Sequence, residues 1–341
     1  MINKLTISKE SLFFISIFII TIFITCLPML SRQLPIGDDW EYHLLRIESI
    51  KVGVLSGQFP VKVNPIFFNN FGYGSSLFYP DLFLYIPAFL RIIGFGIEAS
   101  YKLFIIIITI LCFISAYYSG MGIIKSKYTA LTISIIYCMS QYRLTNIYTR
   151  FALGEVQAFI FLPLLVYGLY NLFEEEFDKP WLLIISFSGL LYCHIISFLI
   201  TVIFSIIIII IKFKYLTNHP LKLKRLFVSF FIFLGFTASF WIPLLEQMNT
   251  NPLRTQSSRM MRDFAVSIPS IFGNNYSMTS GNNIPIGISI TLLCLFRLML
   301  INKEISNNKK LIDEFLVLGF ILLFIASDLF PWNKMPIFFE N

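Results

Sequence analysis

A succession of long apolar runs constrains this chain more than any other feature. A helix needs about 20 predominantly apolar residues to cross the hydrocarbon core of a bilayer. Runs near that length recur at Leu12–Leu30, Leu77–Phe95, Tyr101–Ile124, Tyr128–Tyr142, Glu155–Phe173, Pro180–Cys193, Ile195–Ile211, Leu226–Leu245, Ile284–Ile301 and Leu311–Leu329. The stretch 181–211 is too long for one crossing and divides at His194 into a helical hairpin. Hydrophobic residues make up 57% of the 341 positions and charged residues only 13%. So little charge cannot clothe so much apolar surface in water, which excludes a soluble enzyme, a disordered chain and a nucleic-acid binder despite the net charge of +7. Cys26, Cys112, Cys138, Cys193 and Cys294 sit inside apolar stretches without C-x-x-C spacing, and they read as small buried hydrophobes.

Orientation follows from Lys and Arg, which collect in short cytoplasmic loops. Lys4 and Lys9, then Lys125 and Lys127, then the run Lys212, Lys214, Lys222, Lys224 and Arg225, then Lys303, Lys309 and Lys310 all mark the inside. Glu174, Glu175, Glu176 and Asp178 fall on the same side without conflict, because acids contribute little to the rule. These marks agree only if Leu77–Phe95 does not cross. Pro80, Asp81, Pro87 and Arg91 within it suit a juxtamembrane or re-entrant helix instead. The expectation is an all-α polytopic bundle of about nine crossings in a single domain over 1–341, N-terminus inside and C-terminus outside. The first run follows two lysines and precedes no A-x-A site, so it reads as an uncleaved anchor. The first outer loop covers 31–100 and a later one covers 246–283.

The first outer loop carries chemistry. Trp40, Leu44, Ile47, Ile50 and Val54 recur at helical spacing and predict an amphipathic helix lying on the membrane. Asp38 with Glu41 has the form of a capping box, which makes an N-cap the ordinary reading of Asp38. Asp39 is then spare, in the first helical turn, where a carboxylate can act as a base or bind a metal. His43 lies one turn on, where it can orient or tune that aspartate. The Gly- and Pro-dense stretch from Gly57 to Asp81 predicts a tightly turned, ordered loop. Its aromatics and amides suit a sugar or a headgroup, and equally an interfacial aromatic belt. In the second outer segment Arg143 and Arg150 are seven apart, on one face if helical, and Glu155 opens the next run either as a helix-start acid or as a site residue. His194 at the hairpin tip and Glu246 at the outer end of another run complete the set, since ionisable groups at membrane depth are costly. Asn275-Tyr276-Ser277 has the form of a glycosylation sequon, a short pattern that carries little meaning by itself.

An acidic pair just outside the first span, an amphipathic helix, a Tyr-Pro-led juxtamembrane helix and a later Arg-then-acid motif together resemble the GT-C superfamily of polytopic glycosyltransferases. More narrowly, Gly37–Ile47, Phe78-Tyr79-Pro80-Asp81-Leu82, Tyr142–Glu155 and Phe330-Pro331-Trp332 resemble a bacterial membrane-protein family described as "6-pyruvoyl-tetrahydropterin synthase-related", akin to the YfhO-like proteins. With only His43, His194 and His219, the chain has no histidine set for a pterin enzyme. Members of that family run longer, so the resemblance implies a chain cut short at its C-terminus. The resemblance implies transfer of a sugar from a polyprenyl-phosphate donor to an envelope glycan or glycolipid acceptor on the outer face, by inverting single displacement. Asp39 is then the base, with Asp38 as its assistant or, together with Asp39, the ligand of a divalent cation. Arg143 and Arg150 clamp the donor phosphate, Glu155 positions the acceptor or the arginines, and His194 touches phosphate or sugar. His43, Tyr79, Asp81 and Glu246 join the substrate-binding set. A lipid or solute flippase or transporter, and a non-catalytic membrane assembly factor, are the competing classes. A transporter is expected to show internal repeats, and the 38–47 segment is not repeated.

Overall fold

The computed structural model describes residues 8–250, 265–267, 286–300 and 307–334. The principal helices are α1 (Lys9–Cys26), α2 (Trp40–Leu55), α3 (Tyr85–Ile92), α4 (Ile97–Ile124), α5 (Lys127–Cys138), α6 (Leu153–Ala158), α7 (Leu162–Glu174), α8 (Trp181–Cys193), α9 (Ile195–Ile211), α10 (Pro220–Thr250), α11 (Ile288–Leu300) and α12 (Asn307–Ala326). The fold is all-α; among the described residues the only extended pairings are two isolated bridges, Asn64 with Tyr73 and Val266 with Ser327. Among the described residues three helical stretches, Lys9–Leu30, Ile97–Ile124 and Pro220–Thr250, are long and apolar enough to cross a membrane, and α8, α9 and α11 are shorter apolar helices. The outer loop expected over 246–283, with its sequon, lies largely outside the described residues, as do Lys4, Lys303 and the tail beyond 334.

Two compact units divide the chain, residues 1–139 with 143–247 and residues 140–142 with 248–341. In the first, α4 is the central post against which α1, α3, α5 and α7 pack. Its buried face of Tyr101, Phe104, Ile105 and Ile108 meets Ile47 and Ile50 of α2, Leu84, Ala88 of α3, and Ile147, Phe151, Leu153 and Val156. The apolar stripe of α2 is therefore covered by protein, not by lipid as its periodicity suggested. The salt bridge from Arg91 Nε to Glu48 Oε2, 2.7 Å, ties α3 to α2 on the other side. In the second unit α11 packs on α12, and Arg297 holds Asp313 through two hydrogen bonds of 2.8 Å.

Several expected elements are interrupted for readable reasons. The run 77–95 is not one helix: Ser75–Phe78, a 3-10 turn at Leu82–Leu84 and α3 follow each other around Pro80. The longest piece, α3, has 8 residues and spans about 12 Å, too short to cross. The run 155–173 breaks into α6 and α7, with Pro163 in the first turn of α7. The run 128–142 leaves its helix at Cys138. The capping box also fails: α2 begins at Trp40, and Asp39, not Asp38, occupies the N-cap position, without a side-chain cap. The hairpin forms where expected, with His194 extended between α8 and α9 and its ring accepting from the Ser197 amide.

Lys125, Lys127 and Lys222 gather at one end of the first unit. Lys127 pairs with Glu10 and Lys125 with Glu175, each at 3.2 Å. Buried Lys222 donates to Leu172 O, to Tyr215 Oη and to Glu175 O. Helix α8 starts beside Lys179 at this end and finishes at His194 at the other.

Close helix contacts here depend on missing side chains. A Cβ at Gly189 of α8 would meet the Phe161 ring at 2.3 Å. Gly189→Ala is expected to lower stability by about 1–3 kcal/mol through overpacking, read as a lower thermal midpoint in detergent.

Candidate functional site

The site begins with two backbone hydrogen bonds. The amides of Asp38 and Asp39 donate to Thr149 O and Arg150 O, each at 3.1 Å. Gly37 makes this approach possible, because a Cβ there would lie 2.4 Å from both Thr149 O and the Phe151 ring. On the other side of the contact the chain makes a π turn at Asn146–Arg150 and then places Phe151 in the left-handed region, φ 54°. A bulky residue there is strained. Burial and a stacked contact with Tyr101, ring centroids 5.5 Å apart, hold it in place. The turn redirects the chain so that α6 starts two residues later, with Glu155 in its first turn.

Arg150 and Glu155 consequently pair side-on. Arg150 Nη2 lies 3.1 Å from Glu155 Oε1, and Nη1 donates to Asn146 Oδ1 at 2.7 Å and to Glu155 Oε2 at 3.3 Å. Asn146, fully buried, donates to the same Glu155 oxygen at 3.0 Å. The three groups lock each other, so the guanidinium plane is fixed before any ligand arrives. Asp39 lies within electrostatic reach of Asp38, Arg150 and Glu155. Partial burial raises its carboxyl above the ordinary aspartate value, the two neighbouring carboxylates add to that, and Arg150 opposes it.

A second aperture brings in the remaining groups. A Cβ on Gly154 would meet Tyr79 Oη at 2.5 Å, Cys193 O at 2.9 Å and His194 Cδ2 at 3.0 Å. Tyr79 and His194 thus converge over the start of α6, their rings edge to face at 6.3 Å. Burial pushes the Tyr79 phenol up to about 12, so it stays a proton donor at neutral pH. Burial lowers the His194 pKa, with Arg150 acting in the same direction and Glu155 against it. His43, buried on α2, faces Tyr79 at 6.4 Å, and its Nδ1 has no partner among the described residues. Burial, Arg46 and His194 hold its pKa well below the ordinary value.

Arg46 was not singled out by sequence reasoning, although it stands inside the 37–47 motif. It is buried under Tyr79, guanidinium carbon 4.4 Å from the ring centroid, and donates to Pro80 O at 2.7 Å. Asp81 lies within its field, and burial raises the Asp81 carboxyl. Its spacing from Tyr42 and His43 on one helix was the available signal. Asn146 was likewise missed; an amide between two arginines carried no signal of its own.

Asp38, Asp39, His43, Tyr79, Asp81, Arg150, Glu155 and His194 are thereby brought into one neighbourhood. Arg143 faces elsewhere: it is fully buried, donating to Cys138 O at 2.9 Å and to Thr109 Oγ1 at 2.8 Å. The π turn between the two arginines separates their directions, where a regular helix would have aligned them. Glu246 is exposed near the end of α10. Among the described residues no three His, Cys, Asp or Glu side chains gather to hold a metal ion. Asp38 and Asp39 alone would leave most positions of a divalent cation to water or substrate oxygens.

Two outcomes follow. Gly37→Val is expected to drive the 37–39 loop off the 149–151 turn, read as loss of a disulfide cross-link engineered between the two segments and formed in the parent. The histidines give a pH dependence. Their folded pKa values lie below the unfolded value, so the unfolded chain binds more protons as pH falls below about 6.5. Stability is then lost on acidification, by up to about 1.4 kcal/mol per pH unit for each histidine. His43→Gln should remove one such increment from the slope of unfolding free energy between pH 7 and pH 5.

The family model described as bacterial membrane protein YfhO matches residues 72–334. An uncharacterized protein of Lactococcus lactis subsp. cremoris (strain MG1363) is 23% identical over 333 residues, covering 93% of this chain and 54% of that protein. The chain therefore spans about half the length of this relative. No solved structure matches. The match over 72–334 takes in Tyr79, Arg150, Glu155 and His194, and the chain belongs to the YfhO family of bacterial membrane proteins.

Proposed function

We propose that this membrane protein is a glycosyltransferase that moves a sugar from a polyprenyl-phosphate donor to an envelope glycan or glycolipid acceptor at the outer membrane face. The observation that carries this reading is the anchoring of the Asp38–Asp39 loop, by two amide hydrogen bonds, against the turn that bears Arg150. A carboxylate and an oriented guanidinium side by side suit a reaction with an acceptor proton to remove and a phosphate to release.

In this reading Asp39 takes the proton of the acceptor hydroxyl. The acceptor oxygen attacks the anomeric carbon from the face opposite the phosphate. The bond from that carbon to the phosphate oxygen breaks, and polyprenyl phosphate leaves as an anion with its electron pair. The configuration inverts. The raised Asp39 pKa moves the base toward working pH, where proton transfer contributes about 10²–10⁴-fold. Arg150 offers a planar fork to the phosphate oxygens, and Glu155 with Asn146 sets its plane. Tyr79 supplies a hydroxyl donor, and uncharged His194 a ring to touch sugar or phosphate. Arg46 and His43 support the Tyr79 side from beneath. A divalent cation, if one is used, would rest on Asp38 and Asp39 and neutralise phosphate charge. Arg143, donating into the helix interior, takes no part as a clamp.

The test uses purified protein in proteoliposomes with labelled polyprenyl-phosphate sugar. Wild type should bind the donor saturably, Arg150→Ala should weaken binding, and Asp39→Asn should keep binding while transfer falls by about 10²-fold or more. Transfer at the normal rate by a folded Asp39→Asn protein refutes the base. Donor binding indifferent to Arg150 favours an assembly factor, and donor moved across the bilayer without transfer favours a flippase.

A further inference from the structure

About one helical turn beyond His194, helices α7, α8, α9 and α10 of the first unit leave a cleft of about 480 Å³ between them, which runs along α9 toward the basic end. Leu183 and Phe187 of α8, Phe198 and Ile209 of α9, and Leu226 and Phe233 of α10 line it. The only hydroxyls on its wall, Ser205 and Ser229, donate to carbonyls of their own helices at 2.7 and 2.8 Å, so nothing inside asks for a polar ligand. Phe187, Phe198 and Phe233 close its upper end, with centroids 5.8–6.3 Å apart. From Phe198 to Ile209 the cleft follows α9 for about 16 Å, close to half of the ~30 Å hydrocarbon core. That is the depth of one leaflet.

The cleft adjoins a second recess of about 310 Å³, with which it shares Ile184 and Ser229. Lys224 and Arg225 stand on the wall of this recess. Arg225 is fastened by Glu176 O and Phe177 O at 3.2 and 3.0 Å, neutral carbonyls that leave its charge in place, although Asp178 lies within its field. Lys224 is exposed and makes no ion pair among the described residues. An apolar slot one leaflet deep, ending at two cations, is complementary to one class of molecule.

We infer that this cleft holds an anionic glycerophospholipid of the leaflet on the basic side, its acyl chains between α8, α9 and α10 and its phosphate at Lys224 and Arg225. The lipid seals the joint between the α8–α9 hairpin and α10, and the site is separate from the one proposed for sugar transfer.

Native mass spectrometry of the full chain, titrated with phosphatidylglycerol or phosphatidylcholine, tests this. One phosphatidylglycerol should be retained in preference to phosphatidylcholine. Lys224→Glu should cut that preference by about fivefold or more, as expected for the loss of a cation at the membrane surface. Lys214→Glu, an equal charge change in the segment joining α9 to α10 but outside the cleft, should leave it intact. Val202→Trp, which fills the slot, should abolish retention of either lipid. Absence of preference in the wild type overturns the site. So does an equal loss in Lys214→Glu, which would mean diffuse attraction, and so does retention in Val202→Trp. Displacement of phosphatidylglycerol by equimolar polyprenyl phosphate would reassign the cleft and overturn the choice of lipid.

Discussion

One close approach governs one end of the first unit: the loop at Gly37 lying against the turn at Thr149–Phe151. Two hydrogen bonds between backbones cannot form through a side chain, and the 2.4 Å clearance at Gly37 leaves room for hydrogen alone. Everything nearby inherits its position from that contact. Asp39 reaches Arg150 because its amide is tied to the carbonyl of the same residue. The left-handed Phe151 is tolerated because Tyr101 and the core around α4 enclose it. Gly154 repeats the device three residues later for Tyr79 and His194. A polar cluster assembled from four distant segments thus rests on two absent side chains.

The α2 helix shows how the same residues can serve packing and chemistry. Ile47 and Ile50 face α4 and α3, while Tyr42, His43 and Arg46 run along the neighbouring face beneath Tyr79. Buried arginine over an aromatic ring combines cation–π attraction with hydrogen bonds to carbonyls. Replacing one partner would leave a desolvated charge, which is far costlier than the pair is favourable. This side of the cluster is therefore stiff, and the Asp39 rim is the exposed part.

Much of the fold was legible in the sequence because long apolar runs have few alternatives. The hairpin at His194 and the broken character of 77–95 were both readable, the first from length, the second from Pro80 and Pro87. What misled was local geometry that composition does not encode. Asp38 and Glu41 have capping-box spacing, yet the chain delays its helix to Trp40 because the two aspartate amides are engaged by Thr149 and Arg150. The stripe on α2 looked like a membrane-surface face because periodicity reports that a face is covered, not by what. Arg143 and Arg150 matched at seven residues on the assumption of a regular helix, and the π turn broke the match. Asp39, Arg150, Glu155 and His194 were singled out by their places at the ends of apolar runs and given roles by the resemblance, whereas Arg46 and Asn146 emerged only from contacts.

His194, the single extended residue between α8 and α9, sets a timetable. It lies roughly 155 residues after Asp39, about ten to thirty seconds of synthesis at ordinary ribosomal speed. Asp39, Tyr79, Arg150 and Glu155 have all been made by then and lack only this last neighbour. The cluster is complete only once the α8–α9 hairpin has folded back and brought His194 beside Gly154.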